Sequence, residues 1–425
     1  MDDYTGPFDP TVGLESFSRG ALAAIGREYM LFGHLLNRAG LPWVHVKLGA
    51  QARETVAIEE WMGASPIYTR RMQQAMRFAG GDDVETILKG MQLDVGFAHQ
   101  YMDVRYALES KDRGSFWLPS CGALLEIEPH GEAAVKSMCH AIEDPTFDAT
   151  AVATNPRARC RPVHRPPRLP AGRVPHCEWN VFIDHDADPV QEIPLTARVR
   201  ASRLASFAFA PPHVDDRAGR ADYSGAFLPD LQLEVLSQGA LVTACREFLV
   251  QNHLLVRALM MSVAEHADDA AAREVGMKQW IGAAAVASSR LRSALGIAAD
   301  DVAAILKVLQ LHPAFVPGYT RFSFALDGAG RGLIRLDDCD ALREGDPYSW
   351  FALLDAEPHP ALDVMVQAVN PRARCRAVPP PAGARQAWEV VLDPSAEPAA
   401  EPPEAALVRS SGTARFAFTV RQIQN

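Results

Sequence analysis

Along residues 18–38, SRGALAAIGREYMLFGHLLNR, the apolar positions Leu22, Ile25, Tyr29, Phe32 and Leu36 recur in steps of three and four. That spacing places them on one face of a helix. Residues 50–62, 66–79 and 82–97 predict three further helices, the last capped by Asp82 and Asp83. Beyond residue 100 the period shortens. YMDVRYALES and SFWLPSCGALLEIE, separated by the turn KDRG, predict a β-hairpin. GEAAVKSMCHAIED returns to helical spacing, and ATAVATNPRARCRPV and CEWNVFID predict two more strands. In the last, Cys177, Trp179, Val181 and Ile183 share one face by alternation. PLTARVRASRLASF predicts a closing helix.

The same order then occurs again. SQGALVTACREFLVQNHLLVR at 237–257 repeats the first helix, and DDVAAILKVLQL at 300–311 repeats DDVETILKGMQL at 82–93. NPRARCR stands unchanged at 155–161 and 370–376, and Phe207-Ala-Phe matches Phe416-Ala-Phe. The distance between matching positions shrinks slowly towards the C-terminus, as loop deletions in the second copy would produce. Residues 1–212 therefore read as a first unit and 223–425 as a second, joined by a Pro-rich, charged linker over 213–222. The Pro/Ala/Glu stretch 394–405 matches the loop at 185–194 and is expected at the surface. The expected fold is α+β, each unit a helical layer on a roughly four-stranded, mainly antiparallel sheet. The two units are expected to pair about a pseudo-twofold axis like a fused homodimer, with room for a further homodimer.

At 425 residues the chain suits two domains, each long enough to bury a core. The net charge of −10 favours neither nucleic acid nor an anionic membrane surface as partner. The acidic start MDDYTGPFDP has no apolar stretch, so a secretory signal is not expected. No run approaches the roughly 18 apolar residues of a membrane span. With seven cysteines, an odd number, the thiols are expected reduced and the protein cytoplasmic.

Duplication provides an internal comparison: what both copies keep serves the fold, and what one copy keeps is a candidate for chemistry. Arg27 and His34 lie on one helical face and recur as Arg246 and His253. They are either a polar contact between units or, for His34, part of a pocket wall. Arg157, Arg159 and Arg161 alternate on one strand face, and recur. They are either a solvated face or a stripe that holds a carboxylate or phosphate. The cysteines differ more. Cys121, Cys139, Cys160 and Cys177 have Cys339, Leu354, Cys375 and Gln386 as counterparts, and His140 becomes Asp355. Such thiols could bind zinc, which favours tetrahedral sulfur and nitrogen ligation, or, less readily, iron or an iron–sulfur cluster. They could equally be small buried packing groups, since the spacing is long and contains no CxxC. Glu126, Glu128, His130, Glu143, Asp144 and His164 surround them in sequence, and a carboxylate or imidazole could act as general base. Cys139 beside His140 could be a nucleophile, although neighbours on a helix diverge by about 100°.

The run Cys121, Cys139, Asn155-Pro156-Arg157…Cys160, Pro166-Pro167 and Cys177-Glu178-Trp179 resembles a bacterial cytosolic domain family related to the 2-aminothiazoline-4-carboxylate hydrolase-like group. More distantly, helices followed by a small sheet are similar to vinyl-reductase-type ligand-binding domains. The resemblance covers about 60 residues, and the second copy departs from it at Leu354 and Gln386. It implies hydrolytic opening of a cyclic amidine-like C–N bond and assigns no catalytic residue. The expectation is thus a metal- or thiol-dependent hydrolase or lyase acting on a small, anionic molecule in the first unit. Cys121, Cys139, Cys160 and Cys177 would be metal ligands or reactive thiols. Cys139, His140, Glu128 and Glu143 would do chemistry, and Arg157, Arg159, His34 and His164 would bind substrate. The alternative is a binding or sensory protein with structural cysteines or structural zinc.

Overall fold

The computed structural model describes residues 1–214, 218–328, 330–355 and 358–419. Ser18 caps helix α1 (Arg19–Ala75), its side chain accepting from the Ala21 amide. Gly49 interrupts this helix with φ 88° and ψ 177°, a left-handed conformation that glycine adopts without Cβ strain. Asn37 Nδ2 donates to Glu60 Oε1 over 3.2 Å, and Trp61 Nε1 donates to Asn37 Oδ1 over 3.3 Å. A straight helix would hold residues 37 and 60 about 35 Å apart. The two halves of α1 therefore fold back on each other. The helices expected at 50–62 and 66–79 are one, with Pro66 inside it.

Asp83 caps α2 (Val84–Met91). The helix expected to reach residue 97 stops at Met91, and Val95–Phe97 form only a 3-10 turn. Strands β1 (Met102–Ser110) and β2 (Arg113–Cys121) make the expected hairpin. The strand does not continue through GALLEIE. The Cys121 side chain accepts from the Leu124 amide and so caps a short helix, α3 (Gly122–Ile127). After α4 (Glu132–Lys136), a π-helical stretch (Ser137–Ile142) leads into α5 (Glu143–Val152). The segment ATAVAT, expected as strand, lies at the end of α5. Strand β3 (Ala158–His164) begins only at the second half of NPRARCR. Strand β4 (Cys177–Ile183) follows, its apolar side chains buried in alternation. The closing helix is split by a new cap at Ser202 into α6 (Pro194–Arg200) and α7 (Arg203–Ser206). All strand pairings are antiparallel, in the order β1-β2-β4-β3.

The second unit repeats this plan. Helices α8 (Gln238–His266) and α9 (Asp269–Ala294) stand for the two halves of α1, and α10 (Val302–Gln310) for α2. Strands β5 (Phe322–Leu326), β6 (Gly332–Asp337), β7 (Ala373–Ala377) and β8 (Ala384–Leu392) form an antiparallel sheet of order β5-β6-β8-β7. Helix α11 (Pro360–Gln367) precedes β7, and α12 (Pro403–Arg409) and α13 (Gly412–Arg415) end the unit. Each half of the chain is thus an α+β unit with one four-stranded antiparallel sheet. Among the described residues no helix is long and apolar enough to cross a membrane.

The units exchange their ends. Tyr4 donates to Gln310 Oε1 (2.9 Å), and Tyr223 donates to Gln92 Oε1 (2.6 Å). Arg27 pairs with Glu234 as Arg246 pairs with Glu15. Arg71 pairs with Glu247 (2.8 Å), and Arg290 with Glu28 (2.6 Å). The same arginines donate to the carbonyls of Phe207 and Phe416 within their own units, and α7 and α13 reach across the interface through the Leu204 amide to Glu344 and the Thr413 amide to Glu126. Residue i meets j while the counterpart of j meets the counterpart of i, as an isologous interface requires. Helix α8 is buried along most of its length at the centre of this joint core.

Candidate functional site

Equivalent positions in the two units have unequal surroundings. In the second unit Trp350 stacks on Trp280, with centroids 5.4 Å apart and planes 1° from parallel. Phe351 stacks on His253 at 5.2 Å. Trp280 is 0% and His253 4% exposed beneath them. Their counterparts in the first unit, Trp61 and His34, remain partly exposed. The connection between β2 and α5, residues 122–142, contains no Phe, Tyr or Trp. The second unit fills the space between helical hairpin and sheet with aromatic rings, and the connection in the first unit brings none to the corresponding place.

Polar groups surround Trp61 and His34. The His34 ring lies 4.9 Å from the Tyr101 ring. Burial, reinforced by the Arg38 guanidinium, pulls its pKa down to about 4 and keeps it neutral. Arg38 pairs with Glu126 at 3.1 Å. The Tyr101 hydroxyl shares a 2.7 Å hydrogen bond with Thr413 Oγ1, and Glu126 accepts from the Thr413 amide at 3.1 Å. The second unit repeats this clasp: Tyr319 donates to Glu344, Arg257 pairs with Glu344, and the Leu204 amide donates to Glu344 (2.9 Å). The clasp is therefore architecture. What the first unit alone has is Asn37, Glu60, Tyr68 and Asp94, where the second has Val256, Gln279, Ala287 and His312. Glu60 is fully buried, and loss of water drives its carboxyl far above the ordinary range, opposed by the Asn37 hydrogen bond. Asp94 accepts from the Gly96 amide (2.7 Å) and Tyr68 hydroxyl (3.1 Å), and burial pushes it up to about 7.

The thiols are divided. Cys121, Cys139 and Cys177 lie close enough, with Glu143, for their charges to act on one another. Burial, then Glu143, raises the Cys121 thiol to about 12, and the same causes raise Cys139 and Cys177. At neutral pH these are thiols, not thiolates, so they are not activated nucleophiles. Cys139 lies in the π-helical stretch, a distortion often found at functional sites. It hydrogen-bonds Glu143, whose carboxyl is raised to about 8 by burial and the neighbouring Asp144, against the pull of Arg165. Cys160 stands apart: its sulfur meets the Phe147 carbonyl at 3.7 Å, and its neighbouring charges are Asp148 and Arg161. Among the described residues no three His, Cys, Asp or Glu side chains stand at metal-ligand spacing.

The remaining sequence candidates lie around this site or beyond it. Glu128 makes a two-point pair with Arg168 (2.7 Å each), Arg168 meets His176 Nε2 at 3.2 Å, and His176 Nδ1 accepts from the Cys121 amide at 3.1 Å. Glu128 thus reaches the thiols only through two other side chains. His140 Nε2 bonds the Pro166 carbonyl at 2.6 Å, and His164 Nε2 the Pro175 carbonyl at 3.1 Å. Arg157 and Arg159 donate to the carbonyls of His185 (3.3 Å) and Asp188 (2.6 Å), bracing the loop after β4. Arg372 and Arg374 brace the corresponding loop through Ala396 and Glu397. Sequence reasoning missed Asn37, Arg38, Glu60, Trp61 and Asp94. Setting the two copies side by side would have exposed Asn37, Glu60 and Asp94, because each pairs with a residue of different chemistry.

No family model, no curated protein and no solved structure matches the chain.

Proposed function

We propose that the chain is a small-molecule enzyme of the hydrolase or lyase type with one working site, between the helical hairpin and sheet of the first unit. The second unit is its structural partner. The observation that carries this reading is the aromatic filling, Trp350 and Phe351, at the corresponding place in the second unit and its absence from the first. A carboxyl group that titrates near neutral pH suits proton transfer in either direction. Glu143 and Asp94 are such groups, and Glu143 is the one beside the thiols. In its protonated form it would hand a proton to the ring nitrogen of a small cyclic amidine-like substrate as water adds to the ring carbon, and the carboxylate so formed would take up the proton that the added water sheds as the C–N bond opens, in keeping with the resemblance to the 2-aminothiazoline-4-carboxylate hydrolase-like group. Cys121, Cys139 and Cys177 line the site as protonated, polarisable walls. With Glu143 they form a donor set that suits zinc, but as placed they do not close a shell, and no step is routed through a metal.

The test follows turnover of small cyclic amidine acids by mass spectrometry. Glu143→Gln is expected to lose at least about a hundredfold in rate while keeping its melting temperature. Gln386→Ala, at the Cys177 counterpart, is expected to keep full rate. Equal loss in both variants would refute a single working site. A compound that raises the melting temperature but is never converted would favour a binding protein instead. Metal analysis of the same samples decides the zinc question: about one equivalent, lost in Cys139→Ser and kept in Cys339→Ser, would make the thiols ligands.

A further inference from the structure

The turn that leads from the short helix towards the sheet is held by different side chains in the two units. After α2, Asp94 accepts from the Gly96 amide, and Gln251 of α8 donates to the Leu93 carbonyl and accepts from the Val95 amide, each at 2.9 Å. After α10, the Ala314 amide donates to His312 Nδ1 (3.0 Å), and His312 Nε2 meets the Ala284 carbonyl of α9 at 3.1 Å. His253 Nε2 of α8 meets the Pro313 carbonyl at 3.1 Å, and Tyr29 of the first unit donates to the Leu311 carbonyl at 2.6 Å. Aspartate in one turn and histidine in the other thus perform the same task, accepting from the amide two residues on.

These contacts settle where the protons lie. A neutral imidazole has one N–H and one lone pair. His312 offers its lone pair to the Ala314 amide, so its N–H is on Nε2 and faces the Ala284 carbonyl. A second proton, on Nδ1, would break the bond to Ala314. His253 gives its N–H to Pro313, and a second proton would place a charge against the stacked Phe351 ring. The face of that ring would return only part of the hydration lost. Both imidazoles are buried, and burial pulls His253 down to about 4 and His312 to about 3 against the pull of their carbonyl partners. The titratable and charged groups packed around them are Tyr29 from α1, Tyr319 beside Phe351, His359 beside Trp280, and Arg257, one turn along α8. Glu344 and Asp346 are both engaged by Arg257.

We propose that the turn at 311–314 is an acid-released latch: as His253 and His312 take up protons it leaves α8 and α9 and loosens the entry to β5, while the matching turn at 93–96 stays shut. In the open turn both imidazoles return to their ordinary value of 6.5, so opening takes up protons and grows easier as the pH falls below that value. Opening the first turn releases the proton held by Asp94, so it grows harder over the same interval.

Hydrogen exchange on the full chain, followed by mass spectrometry at pH 7 and pH 5 and corrected for the intrinsic amide rate at each, reads the two turns separately. Protection at 311–316 should fall by roughly four hundredfold on acidification, about twentyfold for each imidazole, while protection at 93–98 holds or rises. His312→Asn keeps an acceptor for the Ala314 amide, as Asp94 does for Gly96, and His253→Gln keeps a donor for Pro313. Each should leave only about a twentyfold fall. The quantity compared is the ratio between the two pH values, so a variant that is merely less stable at both does not imitate the effect. No fall at 311–316, an equal fall in both turns, or a fall undiminished in both variants would overturn the proposal.

Discussion

Glu60 and Asp94 are carboxyl groups from which water has been almost wholly removed, 0% and 2% exposed. Each is raised above its ordinary pKa. The folded chain therefore holds protons that the unfolded chain releases, and stability falls as pH rises through that interval. For Asp94 the interval runs from 3.8 to about 7. Asp94→Asn keeps an acceptor for Gly96 and removes the titration. It should match wild type in urea at pH 4 and exceed it by about 4 kcal/mol at pH 8. A constant difference across that range would refute the assignment. These residues were hard to read from sequence because Asp94 sits in a short turn and Glu60 on a helix face that, taken alone, looks solvent-exposed. The cysteines drew notice as rare residues. Three of the four do meet, while Cys160 packs at the opposite end of β3 with its counterpart Cys375 making the same amide contact to an aspartate.

Among the elements, strand β4 was the most legible, because alternation over seven residues has one explanation. The segment ATAVAT was not, since a short run of small and β-branched residues suits either period until its neighbours decide. The fold-back at Gly49 left only a glycine as signal, and α1 on either side has apolar residues on several faces. The exchanged ends left less still, because a helix four residues long has no periodicity. Their hold is electrostatic. Glu126 caps the Thr413 amide, pairs with Arg38 and receives Tyr101. Glu126→Ala would take the carboxylate from the Thr413 amide and from Arg38, leaving Tyr101 its bond to Thr413 Oγ1, and should cost about 3 kcal/mol. Glu126→Gln still accepts from the amide and should cost less than half as much. Denaturant titration of both variants checks the order, and equal losses would show that capping contributes little.

At the scale of the molecule, the ion pairs and tyrosine contacts that join the two units' ends can be remade by two copies of the first unit, whereas the Tyr101–Thr413 hydroxyl bond cannot, because Leu204 stands in place of Thr413. Arg71 would find Glu28, Tyr4 would find Gln92, and Arg27 would find Glu15, each the counterpart of its present partner. Residues 1–214 expressed alone should therefore sediment as a dimer. A folded monomer would mean that the exchanged ends are dispensable. The repeat made this symmetry legible in the sequence, but not which unit carries the stacked rings.

That inequality has a consequence for occupancy. For a site off its axis, a dimer of identical subunits offers its ligand two places or none, and the two can influence each other. Joining the halves in one chain let Trp350 and Phe351 occupy one place without touching the other. The protein should accordingly saturate at one equivalent per chain along a simple hyperbola, its symmetry retained in shape and given up in stoichiometry.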